Sequence, residues 1–319
     1  MSAAPRPGRP AWPVAAGLAA GLAADAVLAD PRRGHPVAGF GTVAGALERR
    51  TYRDSRAQGA AFASVLTAGT ALLGAVAVAG RGPSSRAAVT AVATWAVVGG
   101  TSLRREAVVM QRLLDDGDLD GARQRLSHLC GRDPSQLDAA GLARATVESV
   151  AENTSDAVVG PLVWGALGGV PGLLAYRAVN TLDAMVGHRS PRYERFGWAA
   201  ARTDDLANLL PARLSAGLAV VLAPVVGGRP RSAVRVWRRD GHKHPSPNAG
   251  PVEAAFAGAL GRTLGGRLAY ADRVEDRPLL GDGPAPEVAD IARAARLSAA
   301  VALAAGAVAV GARLLLDRR

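Results

Sequence analysis

The sequence predicts an all-α fold: a polytopic membrane helical bundle with broken or re-entrant segments and helical insertions on the aqueous side, in one unit over residues 1–319. Three observations predict it. Apolar residues make up 49% of the 319 positions and gather into long runs, and a bilayer core needs about 20 such residues per crossing helix. Aromatics are only 4%, so alanine, glycine, valine and leucine must form the contact surfaces, as suits closely packed helices. One run is dense in glycine and proline, which interrupt a helix and are tolerated at membrane depth where protein or a cavity covers the freed backbone.

Six runs carry the elements: 12–29, 60–79, 87–103, 158–176, 206–227 and 298–316. The first follows Arg6 and Arg9 and ends in small residues, so a cleaved signal peptide fits it as well as a retained helix does. The further runs behind it favour the retained helix. The second, third and sixth are the cleanest crossings. In the fourth, Gly160, Pro161, Gly165, Gly168, Gly169, Pro171 and Gly172 mark a broken or re-entrant segment. The fifth opens on Asn208, Pro211 and Arg213, which leaves a short apolar stretch. The loop after the first run holds Arg32, Arg33, Arg49, Arg50, Arg53 and Arg56, against Arg81 and Arg86 in the next turn, so the larger loop is expected to be cytoplasmic. Residues 104–156 read as a soluble helical insert. If the fourth and fifth runs dip into the bundle without crossing, every polar block meets on the cytoplasmic side.

The net charge of +11 is arginine-borne, since Lys243 is the only lysine. The arginines are scattered and no basic motif is interleaved with aromatics, so nucleic acid is not expected as a partner, whereas a lipid bilayer is. Cys130, the single cysteine, excludes an intrachain disulfide and a multi-cysteine zinc site. There is no phosphate-binding loop of the Walker type, no dinucleotide fingerprint and no nucleophile elbow.

Polar residues cluster in four places. Glu148, Glu152 and Asp156, with Asn153 between, recur at spacings of four, which stacks three like charges along one helical face. A cation would compensate them, and hard oxygen ligands suit Mg²⁺; a solvated acidic face has the same spacing. Asn180 and Asp183 precede His188, Arg189, Tyr193, Arg202, Asp204, Asp205 and Asn208. There Asp204 and Asp205 could hold a metal or orient an amine, Arg202 and Arg213 could fork onto phosphate, and helix capping by Asp204 is the plainer reading. Lys243, His244, Ser246 and Asn248 lie in a proline-stiffened stretch that enters a helix, where a helix start and a lysine together offer an anion site. A stiff linker has the same pattern. Last, Asp25, Asp30 and His35 close the first run. A carboxylate inside a span costs roughly 2.5 to 3.5 kcal/mol on insertion scales, so Asp25 should face the bundle or an aqueous cavity.

Several stretches, in order, resemble one family. Glu148-Ser-Val-Ala-Glu-Asn-Thr, Asn180-Thr-Leu-Asp-Ala-Met-Val-Gly, Phe196-Gly-Trp-Ala, Asp204-Asp-Leu-Ala-Asn, Pro211-Ala-Arg-Leu and Lys243-His-Pro-Ser-Pro-Asn-Ala-Gly are similar to those of the CobD/CbiB family of adenosylcobinamide-phosphate synthases. Asp30-Pro-Arg, His35-Pro-Val and Leu280-Gly-Asp extend the likeness over almost the whole chain. The resemblance implies a multi-pass protein of the cell (inner) membrane in cobalamin biosynthesis. Its implied reaction is ATP-dependent amide formation between the propionate carboxylate of adenosylcobyric acid and (R)-1-aminopropan-2-ol or its phosphate, giving adenosylcobinamide or its phosphate. ATP and Mg²⁺ are the implied cofactors, and other membrane enzymes of cobalamin assembly the implied partners. The resemblance supports these positions, and the chemistry of the reaction assigns their roles: catalysis to Glu148, Glu152, Asp183, Asp204 and Asp205, with Glu148, Glu152, Asp156, Asp204 and Asp205 sharing the metal. His35, Asn153, Asn180, Arg202, Arg213, Lys243, His244, Ser246 and Asn248 would contact substrate. The chain departs from the family pattern at Ala157, where glycine is common, at His188-Arg189 in place of a Tyr-Lys-like pair, and in a thinned aromatic cluster near Tyr270. A non-catalytic membrane sensor of the AmpE type and a small-molecule transporter are the alternatives. The first would not need all the polar clusters, and the second would need neither the insert nor the stretch around Lys243.

Overall fold

In a computed structural model that describes residues 12–31, 34–130, 133–269 and 274–316, the chain is a helical bundle with one small β-hairpin. Arg6, Arg9, Arg32, Arg33 and Tyr270 lie outside the described residues. The helices are α1 (Trp12–Leu28), α2 (Pro36–Thr51), α3 (Arg56–Val78), α4 (Pro83–Val97), α5 (Gly100–Asp115), α6 (Leu119–Leu126) and α7 (Ala139–Thr154). A π-helical turn (Ser155–Val159) joins α7 to α8 (Gly160–Leu182), and a second (Asp183–Gly187) follows it. Then come α9 (Trp198–Ala207), α10 (Leu209–Val221), α11 (Pro230–Asp240), α12 (Ala249–Leu260), strands β1 (Leu264–Ala269) and β2 (Val274–Leu280), and α13 (Val288–Leu316). The strands pair antiparallel with a bulge between Leu264 and Gly266; no sequence signal singled this hairpin out.

Among the described residues three helical stretches are long and apolar enough to cross a membrane: α3, α13 and the continuous stretch Ala139–Gly187. On α3, Val65, Leu72, Leu73 and Val76 are each 64–66% exposed, as a lipid-facing surface requires when the solvent is hydrocarbon. The buried core runs instead through small residues such as Ala212, Ala216, Ala254 and Ala257 beside Phe256 and Leu297.

Ala139–Gly187 is not one straight rod. At Gly169 the backbone turns to φ 61°, ψ −146°, a region only glycine enters without strain. The two halves of α8 then pack back on each other. The Tyr176 hydroxyl lies 3.1 Å from the Asp156 carbonyl oxygen, whereas 20 residues of straight helix would set them about 30 Å apart. A Cβ at Gly160 would overlap the Tyr176 ring, and one at Gly172 the Trp164 carbonyl, so both glycines let the legs close. The breaker-rich run is thus a helical hairpin whose ends leave in the same direction.

The third run differs from its expected form. Helix ends at Val97, and α5 begins at Gly100, so 87–103 is not one continuous crossing. The cause lies in α1: the buried Asp25 carboxylate accepts from Thr101 N and Thr101 Oγ1, each at 3.0 Å, through Oδ2. A carboxylate at the first free N–H groups of a helix satisfies them and complements the helix dipole. At the same break Gly99 N donates to the Ala157 carbonyl (3.0 Å).

Candidate functional site

The second leg of the hairpin, its closing π-turn and α9 carry the polar residues to the first π-turn. Asp156 is next to Asp204, Glu152, Asp183 and Arg177 in electrostatic terms, and Asp183 is in turn acted on by Asp204, Asp205 and Glu152. Two groups of carboxylates that are separated by tens of residues therefore share one volume. A single π-turn shifts the helical register at Asp156, and such bulges recur at functional sites.

Hydrogen bonds among polar side chains brace this volume. The Tyr176 hydroxyl donates to Asn208 Oδ1 (2.6 Å), and Asn208 Nδ2 donates to Asp204 Oδ2 (3.0 Å). Arg177 Nη1 donates to Asn180 Oδ1 (3.3 Å). Burial pushes the Asp204 carboxyl up to about 6; hydrogen bonds from Asn208 and Asn180 pull the other way, and the charges of Asp205 and Glu152 add to the rise. Each neighbouring carboxylate destabilises the ionised form of the next.

Beside this cluster opens a cavity of about 670 Å³, lined among others by His188, Arg189, Glu194, Arg202, Asp205 and Ser246. It joins the second polar cluster of the sequence to the third. Arg202 Nη1 lies 3.3 Å from Asp205 Oδ2. Asn248 ties the two clusters together, since its Nδ2 donates to the Asp205 carbonyl (2.7 Å) while its Oδ1 accepts from Arg213 Nη1 (2.8 Å).

Other candidates sit elsewhere or are otherwise engaged. Glu148 is buried beneath the β-hairpin, where its Oε1 accepts from Gly265 N (2.7 Å). Asn153 Nδ2 donates back to the Ser149 carbonyl (2.9 Å). His35 caps α2, its Nδ1 accepting from Val37 N (3.1 Å), and its Nε2 is 3.6 Å from Asp30 Oδ1. Lys243 Nζ forms an ion pair with Asp240 (2.7 Å). Buried His244 accepts from Ser246 N at Nδ1 (3.0 Å), while its Nε2 faces Arg277 at 3.0 Å and Glu253 at 3.8 Å. The start of α12 is closed by its own serine: Ser246 Oγ accepts from Asn248 N (3.3 Å) and Ala249 N (3.2 Å). The anion site expected at that helix start thus has its first donors occupied.

Sequence reasoning passed over Tyr176 and Asp240. Tyr176 was visible as one of four tyrosines, at the end of the broken run. Asp240 was visible from its i,i+3 spacing to the only lysine. Asp240 is 1% exposed and is bound by Arg239, Lys243 and Gly281 N. Arg239 holds its carboxyl well below the usual carboxylate range, against burial, with Lys243 and Gly281 assisting. The stabilisation that follows is present above the ordinary aspartate pKa and is lost as pH falls through the lowered one. Asp240→Ala should cost about 1 to 3 kcal/mol, because it removes a buried acceptor and leaves the Gly281 N–H without its partner, whereas Arg239 and Lys243, 44% and 42% exposed, return to solvent. Thermal unfolding in detergent reads this; an unchanged midpoint would show the ion cluster to be ornamental.

Fold and site together define a helical membrane protein that gathers carboxylates and amides beside an arginine-lined cavity. The family model described as "CobD/Cbib protein" matches residues 18–298. "Cobalamin biosynthesis protein CobD" of Mycobacterium tuberculosis (strain ATCC 25618 / H37Rv) is 55% identical over 305 residues, covering 96% of each chain. Proteins of the same name from Rhodobacter capsulatus (50% over 224 residues, 69% of this chain and 70% of the relative) and Chromobacterium violaceum (45% over 285 residues, 86% and 89%) are also similar. No solved structure matches. The chain belongs to the CobD/CbiB protein family, and that membership supports a role in cobalamin biosynthesis.

Proposed function

We propose that this chain is an inner-membrane ligase of cobalamin biosynthesis that uses ATP to join the propionate carboxylate of adenosylcobyric acid to the amine of (R)-1-aminopropan-2-ol or its phosphate. The observation that carries the reading is the convergence of Glu152, Asp156, Asp183, Asp204 and Asp205 beside the cavity that Arg189 and Arg202 line. The relatives' printed names support the pathway, and the polar cluster supports the chemistry.

A carboxylate is a poor electrophile and must be activated. In the proposed route a carboxylate oxygen of the corrin acid attacks the γ-phosphorus of ATP and ADP departs. The amine then attacks the acyl carbon of the resulting acyl phosphate, the C–O bond breaks and phosphate leaves. The ammonium must first lose a proton, and a carboxylate raised to about 6, as Asp204 is, accepts it better than an ordinary aspartate. Arg189 and Arg202 would hold the phosphoryl oxygens by charge-assisted hydrogen bonds.

Among the described residues no set of three or more His, Cys, Asp or Glu side chains could ligate one metal ion. Mg²⁺ does not need such a cage, since it is usually held by one or two carboxylates together with substrate phosphates. Asp204 Oδ1, buried without a hydrogen-bond partner, leaves a place for a water of the hydrated ion, and Asp156 or Asp205, which belong to the same group of carboxylates, would supply the direct ligand and leave Asp204 to take the proton. When bound, Mg²⁺ would neutralise the phosphates. The remaining work falls to the chain: Asn180 and Asn208 orient Asp204, and Tyr176 fixes Asn208.

ADP release by the detergent-purified protein tests the reading. We expect release to require both corrin acid and amine, and Asp205→Ala to slow it about 100-fold or more, within the range of a lost group that stabilises the reacting charges. Release that ignores either substrate, or full activity in Asp205→Ala, would remove the assignment.

A further inference from the structure

Next to the cavity described above, across a ridge formed by Pro245 and Pro247, lies a second cavity of about 450 Å³ that includes Arg213, Trp237, Arg238, His242 and His244 in its lining. Its chemistry differs from its neighbour's. The first cavity is lined by Glu194 and Asp205 as well as arginines, whereas no carboxylate lines the second among the described residues. The nearest acid in sequence, Asp240, is turned inward and bound by Arg239 and Lys243. Arg213 does not swing freely: Asn248 Oδ1 accepts from its Nη1 at 2.8 Å. Arg238 is exposed on the last turn of α11 and forms no ion pair with a described residue.

From this geometry we infer a phosphate-binding site, with Arg213 and Arg238 as its guanidinium ligands and Trp237 as an apolar wall. Two guanidinium groups with no compensating acid attract an anion, and planar guanidinium forks match phosphate oxygens. The phosphate could arrive on a soluble molecule or on a lipid. Leu209 and Leu210, one turn before Arg213, are 40% and 57% exposed, which places Arg213 beside an apolar, lipid-type surface where arginine side chains reach toward headgroups. This inference goes beyond the amide-forming reading and stands without it, because binding is measured with neither corrin acid nor amine present.

The test follows Trp237 fluorescence in the full-length protein, with Trp237→Phe subtracted as the signal control. One arm titrates inorganic phosphate into protein held in a zwitterionic detergent. The other compares nanodiscs of phosphatidylcholine with nanodiscs containing phosphatidylglycerol, without added phosphate. A response in either arm that Arg213→Gln and Arg238→Gln each weaken about tenfold, the loss expected for a charge-assisted hydrogen bond, supports the site. A response in the first arm names a soluble phosphate, and one in the second a lipid headgroup. No response in either arm, or one that both substitutions leave unchanged, overturns it. Both variants are exposed surface changes, and matched circular dichroism spectra establish that they fold.

Discussion

Asp204→Asn should make the protein more resistant to unfolding at pH 7.5 while lowering turnover about 100-fold or more. The two effects share one cause. Burial lifts the Asp204 carboxyl to about 6, above its value in an unfolded chain, so the folded state binds the proton more tightly than the unfolded state does. The resulting cost of holding the ionised carboxylate is fully present above about pH 6 and fades as pH falls from there toward 4. An asparagine has the same shape, still accepts the hydrogen bond from Asn208 Nδ2, and carries no charge for Asp205 and Glu152 to repel. It also cannot take a proton from an ammonium group. Unfolding midpoints at pH 7.5 and pH 4 separate the terms: the variant should gain at the higher pH and gain little at the lower. Loss of midpoint at both values would mean that Asp204 is a structural cap, not a proton acceptor. Wild-type turnover should itself fall on the acid side of about pH 6, and this limb should vanish from the residual rate of the variant.

The second large effect lies at the hairpin tip. Gly172→Val should abolish recovery of folded protein, because its side chain would have to occupy the space of the Trp164 carbonyl, and backbone on the facing leg cannot yield without opening the hairpin. Gly169→Ala is milder. Nothing but the Val14 side chain approaches that position, so the cost is that of forcing an alanine to φ 61°, about 1 to 3 kcal/mol. Gly168→Ala, with nothing within 4 Å of its Cβ, should behave as wild type. Size-exclusion profiles of detergent extracts give the ranking. If Gly172→Val elutes as a normal monodisperse peak, the two legs do not pack as described, and the gathering of Asp156 with Asp204 loses its scaffold.

What could be read from the sequence follows from how far each cause lies along the chain. Helices α3 and α13 were legible because a long apolar run carries its own instruction. The breakers between 160 and 172 announced a disrupted segment for the same reason, although not the sharp reversal at Gly169, which depends on the facing leg. The break after Val97 was not legible: apolar residues continue past it, and the group that starts α5 is Asp25, 76 positions away. The polar clusters were visible as types and spacings, and their meeting in space was a guess about topology. Partner choice was the least visible. Lys243 reads as a lone cation for phosphate until Asp240 is seen beneath it, and Glu148 reads as part of an acidic stripe until β1 is placed over it.

Helix α13 braces the pocket as well as packing the bundle. Thr154, which leads directly into the π-turn bearing Asp156, donates its hydroxyl proton to the Val150 carbonyl or to Ser298 Oγ, 2.7 Å away on α13. The residue pair is separated by 144 positions, so the turn that presents the acidic side chains leans on a strut remote from it in sequence, and a change on α13 reaches the pocket without touching any of its carboxylates.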